Sequence, residues 1–476
     1  MRAFRSTRLV LDVAAILIVA APFFFSGSQA YADWKDDVGY TQLVSELGPG
    51  LPTGSSVTVT QVEAADPAGS TNYSPNPSNS ALAGINFTYQ GAATSSSISS
   101  HATTVATYFY GSSSLATGVT DVTVWDASSW LSWVGNTEST DVVNCSWIST
   151  SSQISASDAT RLSQYLDNSI RADDYVAVVG VNNGDSSTLP YLLCQSYNSI
   201  SVGLTSGSHS SGTTTINGPG RIKPEIVAPT SRTSFATPMV SSAAAMLLET
   251  ANSISTNAAH STTIKAVLLA GATKSEFSDW SHTHDHPLDD TFGAGELNVY
   301  RSYHILTGGQ QSASATRNTT TSLITQTAAG NISDDGWDYS RNATNTEKLY
   351  YFSVDPNETV SELSAVLTWN AVITSSGGSL TTTVANLDLY LYSVGESGGL
   401  TQLDLSDSSV DNVELLYETY LASGDYAIGV RSGTPNTYYS LAWHIATVPE
   451  PGALVLLTTA LVAGLVLARR RLGRNG

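Results

Sequence analysis

The chain predicts a three-layer α/β domain with a parallel sheet, followed by an all-β sandwich of jelly-roll type. Three observations carry that prediction. Strand-like and helix-like patterns alternate through residues 54–250, as they do when βαβ units are laid on one parallel sheet. One strand, Tyr175 to Val181, is apolar without interruption, as a strand covered on both faces must be. From about Gly308 the helical signals stop, and short alternating strands follow between Ser, Thr and Gly turns, the pattern of a sandwich.

The two ends stand outside that fold. Arg2, Arg5 and Arg8 precede an apolar run from Leu9 to Phe25, and Ala30-Tyr31-Ala32 offers a small-x-small cleavage site before Asp33. Residues 1–32 therefore read as a secretory signal peptide. At the far end, Val448-Pro449-Glu450-Pro451 leads into an uncharged run from Gly452 to Ala468 and then Arg469-Arg470-Arg471. Such a run, rising about 1.5 Å per residue, just spans a hydrocarbon core with its Arg cluster on the cytoplasmic side. The expected organisation is a signal peptide over 1–32, the α/β domain over 33–307, the sandwich over 308–447, and a sorting and transmembrane segment over 448–476.

With 476 residues and a formal charge of −20, the chain has room for two domains and an acidic surface of secreted type. That charge argues against nucleic-acid binding. Removing the two ends takes away seven Arg but only Asp12 and Glu450 among the acids, so the remainder is more acidic still. Cys145 and Cys194 both lie in that remainder. Export permits one disulfide between them, and two buried free thiols are the other reading.

In chain order, Val57 to Glu63 is a β-branched strand that ends on an acid, with Asp66 three residues later. A helix opens near Ser99, carrying His101 in its first turn. Gly118–Trp125 and Asp141–Ile148 read as strands, the second with Ser146 and Trp147 at its end. Ser157–Ile170 is an amphipathic helix with Leu162, Tyr165, Leu166 and Ile170 on one side. Tyr175–Val181 runs into Asn182-Asn183-Gly184-Asp185, and Leu192–Gly203 is a further strand. Lys223-Pro-Glu-Ile-Val-Ala-Pro229 is a short strand closed by prolines. Ser234 follows, just before a small-residue helix from Met239 to Thr250. At the mouth of a helix, backbone N–H groups point outward and the macrodipole is positive, a setting that suits an oxyanion. Thr262–Ala272 is another helix. Lys348–Val354, Glu362–Thr368, Leu387–Tyr392, Val413–Tyr417, Asp425–Val430 and Tyr438–His444 are the sandwich strands. Glu63, His101, Asn182 and Ser234 all fall after strands or at helix starts, so the topology gathers them at one sheet edge.

The linked stretches KPEIVAP and RTSFATP resemble the KPDIVAPG and GTSxAxP motifs of subtilisin-like serine peptidases (subtilases). The order acid, His, Ser is also that family's order. The resemblance implies Ser234 as nucleophile and His101 as base, in a helix start similar to HGTHVAG. It implies Glu63 as the acid in the place of Asp, with Asp66 as the fallback. Asn182 takes the position of the oxyanion amide, and Ser146 and Trp147 take the substrate-binding edge similar to VINxSLGG. Glu63, Ala102, Ile148 and Arg232 are departures: the family has Asp at the first position and Gly at the other three.

The activity so implied is endopeptidase action through an acyl-enzyme, on a peptide or protein substrate and without a cofactor. The alternative is an inactive subtilase-fold structural or binding protein of the extracellular matrix. The C-terminal segment resembles the PEP-CTERM sorting signal. That implies export across the inner membrane of a Gram-negative-type bacterium, membrane attachment before processing, an exosortase-type partner, and a cell-envelope or extracellular location. Calcium stays open as a structural ion at Asp388, Asp404, Asp407 and Asp411. His282, His284, Asp285 and His286 read as a polar surface loop rather than a metal site.

Overall fold

The computed structural model describes residues 33–434 and 436–450. The signal peptide and nearly all of the C-terminal sorting segment lie outside the described residues. Among the described residues no helix is long and apolar enough to cross a membrane.

Seven strands form the first sheet: β1 (Val59–Glu63), β2 (Asn86–Gln90), β3 (Asp121–Asp126), β4 (Val142–Cys145), β5 (Val176–Gly180), β6 (Ile200–Leu204) and β7 (Ile226–Ala228). Their spatial order is β2-β3-β1-β4-β5-β6-β7, and every neighbouring pair is parallel. From β1 the chain crosses to the edge strand β2, returns to place β3 between them, and from β4 builds outward on the other side. The reversal falls between β1 and β4, the kind of switch point at which open α/β sheets place a crevice beyond the carboxyl ends of their strands.

Period-two alternation gives both faces of the sheet an apolar surface. Val142, Val176 and Val178 join one cluster with α1 (Ser100–Phe109) and α3 (Thr233–Ile254). Val143, Ala177 and Val179 join the opposite cluster with α2 (Ala156–Asp173). Each such aliphatic side chain stabilises the fold by about 1.5–3 kcal/mol when fully buried. Helix α3 lies close to the sheet because its inner face is mostly small, with Ala236, Ala243, Ala244 and Ala245 buried. At Gly180 a Cβ would stand 2.9 Å from Thr237 Oγ1, so only glycine admits this approach.

The sandwich has a six-stranded and a four-stranded sheet, antiparallel throughout. Its strands include Thr346–Val354, Glu358–Thr368, Leu387–Val394, Val413–Glu418, Gly424–Ser432 and Tyr438–Pro449. The last pairs with Glu358 through Pro449, so Val448 and Pro449 belong to the sandwich rather than to the segment after it.

The two units share a core. Helix α4 (Ser261–Gly271) is buried at all eleven positions. Trp337, Val366, Val413, Leu415 and Ala442 of the sandwich belong to the same apolar cluster as α3 and α4. Thr368 Oγ1 donates to the Thr262 carbonyl at 2.9 Å, and Trp337 Nε1 donates to the Leu306 carbonyl at 2.9 Å.

Three expectations are corrected. The helix after the proline-closed strand starts at Thr233, not Met239, and takes Pro238 into its interior. Leu192–Gly203 is a strand only from Ile200. The edge strand β2 was not expected. Cys145 and Cys194 are both buried and unpaired, which excludes the disulfide reading, and burial pushes the Cys194 thiol up to about 12.

Candidate active site

Glu63 is the last residue of β1, and its carboxylate is almost fully buried. One oxygen, Oε2, lies 3.0 Å from His101 Nδ1. The other, Oε1, accepts from Gln61 Nε2 at 2.7 Å. His101 is the second residue of α1. That helix is started by Ser99, whose hydroxyl accepts the Ala102 N–H at 3.1 Å, the usual role of a Ser cap. Asp66 makes no hydrogen bond to His101 among the described residues: its carboxylate accepts from Ser99 Oγ at 3.4 Å. Burial lowers the His101 imidazole, but the Glu63 hydrogen bond and charge, helped by Asp66, outweigh it and leave the imidazole raised; Arg232 pulls the other way.

Ser234 sits in the first turn of α3, where its N–H has no intrahelical partner. Arg232, the cap residue, makes no capping bond with its side chain. Asn183 Oδ1 serves instead, accepting the Thr233 N–H at 3.0 Å. Asn182 is held at the end of β5 by Ser210. The Asn182 N–H donates to Ser210 Oγ at 3.0 Å, and its carbonyl accepts the Ser210 N–H at 2.9 Å. His101, Asn182 and Ser234 line one cavity of about 190 Å³, together with Ser146, Trp147, Ile148 and Arg232. The ring of Phe235, next to Ser234, packs 6.1 Å from that of His101. Among the described residues His101 hydrogen-bonds through Nδ1 alone, so its other ring nitrogen is free to face the cavity.

No protein-family model matches the chain, and no curated protein matches it. Solved structures similar in chain path include proteases. A serine protease of Aeromonas sobria is 12% identical over 83% of this chain and 88% of its own, with a TM-score of 0.37. Fervidolysin from Fervidobacterium pennivorans, a keratinolytic enzyme related to subtilisin, is 12% identical over 84% and 71%, at 0.40. A protease from Pseudoalteromonas arctica is 15% identical over 57% and 97%, at 0.38.

All six residues singled out in the sequence thus meet at one place: Ser234, His101, Asn182, Ser146 and Trp147 line the cavity, and Glu63 lies directly behind His101. Ile148 and Arg232, the departures noted above, line the cavity too. Several supporting residues escaped the sequence reading. Asn144 on β4 receives a hydrogen bond from Ser241 Oγ of α3 at 2.9 Å and donates to Ser146 Oγ at 3.0 Å, tying the Ser234 helix to the strand end beside it. Gln61 is another. Their signal was a side-chain amide inside a fully buried strand.

The KPE run has a structural role of its own. Glu225 Oε1 bridges Lys223 Nζ at 2.7 Å and Lys265 Nζ of α4 at 2.8 Å, all three buried. Asp411, one of the carboxylates open to calcium, is also fully buried, and the charges of Lys223 and Arg221 act on it. His284 pairs with Asp407 of the sandwich at 2.7 Å. Among the described residues no group of three or more His, Cys, Asp or Glu is placed to hold a metal ion.

Proposed function

We propose that the protein is an exported serine endopeptidase of subtilisin-like type. Ser234 attacks the scissile carbonyl; His101 takes the hydroxyl proton and later delivers it to the leaving amine. Glu63 orients the imidazole and stabilises the imidazolium, while the Asn182 amide and the Ser234 N–H bind the oxyanion. Ser146 and Trp147 form the edge against which the peptide lies. The observation that carries this reading is the 3.0 Å bond between His101 and a buried Glu63, behind a cavity that His101 shares with Ser234 and Asn182. This chemistry needs no cofactor. The composition of the two ends alone supports export across an inner membrane and processing by an exosortase-type enzyme.

A fluorophosphonate probe tests the reading. It is expected to label the purified protein, and Ser234→Ala and His101→Ala are each expected to abolish labelling. A second reading, a non-catalytic protein on the same fold, draws support from Arg232 and Ile148 at the cavity and from a His101 that is not bonded to Ser234. Catalytic hydrogen bonds commonly tighten only when substrate is bound, so that last feature weighs little. A folded wild type that stays unlabelled decides for the second reading.

A further inference from the structure

Glu63 is one methylene longer than the Asp that short acid–imidazole pairs employ, and a longer side chain has more ways to miss. Something must hold its carboxylate. We infer that Gln61 is a positioning residue that fixes Glu63 against His101, and that Tyr110 anchors the far end of the Gln61 amide. This inference rests on the catalytic reading above.

Gln61 and Glu63 are two apart on β1 and so share a face of the strand. Gln61 is fully buried. Its Nε2 donates to Glu63 Oε1 at 2.7 Å and to the Ala102 carbonyl at 2.9 Å. Both partners are acceptors only, so the NH₂ end must face them; an amide oxygen there would meet two lone-pair groups. The Oε1 end then faces Tyr110, whose hydroxyl donates to it at 2.5 Å. Tyr110 is also buried. Burial and the Glu63 charge push its phenol well above the ordinary value, so it stays a donor at any working pH. In the chain Tyr110–Gln61–Glu63–His101, both ends of the Gln61 amide and both Glu63 oxygens are thus occupied. Because Gln61 also grips the Ala102 carbonyl, it ties β1 to the residue following His101. Acid and base are fixed to each other by one amide.

The test separates rate from binding. In the probe reaction, Gln61→Leu is expected to lower kinact on the order of 10²-fold, the scale of a misplaced catalytic group, while KI stays unchanged. Gln61→Glu puts a second carboxyl beside the first, and such a pair shares one proton. Its labelling is expected to fall again at high pH as that proton leaves, a descending limb the wild type lacks. With isotope-labelled histidine, the His101 titration in Gln61→Leu is expected to move down by about half a unit or more, because the Glu63 contact that raises it loosens. Tyr110→Phe, which removes the bond that anchors the far end of the amide, lowers kinact less, and serves should Gln61→Leu not fold. Unchanged kinact and an unchanged His101 titration in folded Gln61→Leu, or in Tyr110→Phe and Gln61→Glu together, overturn the inference. A wild type that resists the probe overturns the peptidase reading alone, since the His101 titration still decides the role of Gln61.

Discussion

Replacing Glu63 with Gln removes a charge and almost no volume. The outcome depends on which way the new amide points, and the neighbours settle that. Oε1 accepts the Gln61 N–H at 2.7 Å, so the amide oxygen keeps that place and the NH₂ turns toward His101 Nδ1, 3.0 Å from the second oxygen. Nδ1 must then accept, and the ring proton moves to Nε2. That is the nitrogen required to receive the Ser234 proton. A base held in the wrong tautomer loses about 10⁴-fold in rate, or about 5.5 kcal/mol of barrier. The assay is the fluorophosphonate labelling rate, read beside the His101 titration. With Glu63 neutralised, the two strongest influences that raise the imidazole are gone; the weaker pull of Asp66 stays, and burial, the largest influence, still lowers it. The titration should therefore move below its wild-type position while labelling collapses. Labelling within tenfold of wild type would refute the role given to Glu63 and turn attention to Asp66.

Arg232 lowers the His101 imidazole through its charge, so Arg232→Gly should move the rising limb of the labelling–pH profile upward. An unmoved limb would mean that the guanidinium points away from the site. Glu225→Gln leaves Lys223 and Lys265 buried without their shared carboxylate, a change expected to cost about 3–5 kcal/mol in denaturant unfolding; a loss under about 1 kcal/mol would sink that account. Burial pushes the Lys274 amine down to about 7 from 10.5, so the unfolded chain holds more protons between those values and stability should rise with pH across that window. Lys274→Met should flatten the slope, and denaturation midpoints at both ends of the window check it.

The central strands and the helices that pack on them were legible because burial on both sides leaves little choice of residue. Val176 to Gly180 is the clearest case. The edge strand β2 was not, since its residues alternate between exposed and half-buried and read as loop. The hairpin Val372–Ser376 with Ser379–Thr383 failed for the same reason: most of its Ser and Thr side chains face water. The true start of α3 was hidden by Pro238, which normally ends a helix but here lies in its second turn. At the site, the residues that meet substrate sit in motifs and were found. Gln61, Asn144 and Ser210 were not, because hydrogen bonds that give them their place reach partners 41, 97 and 28 residues away in sequence.

The wall around Ser261–Gly271 is made of chain that arrives late. Hydrogen bonds close it from positions 106 and 178 residues further along. A polypeptide that crosses a membrane with its amino end leading meets that requirement only when its final strand has followed. Whatever chemistry the cavity performs, its scaffold is sealed last from the carboxyl side. If the chain is exported as proposed above, that order would delay completion of the fold until its carboxyl end has crossed.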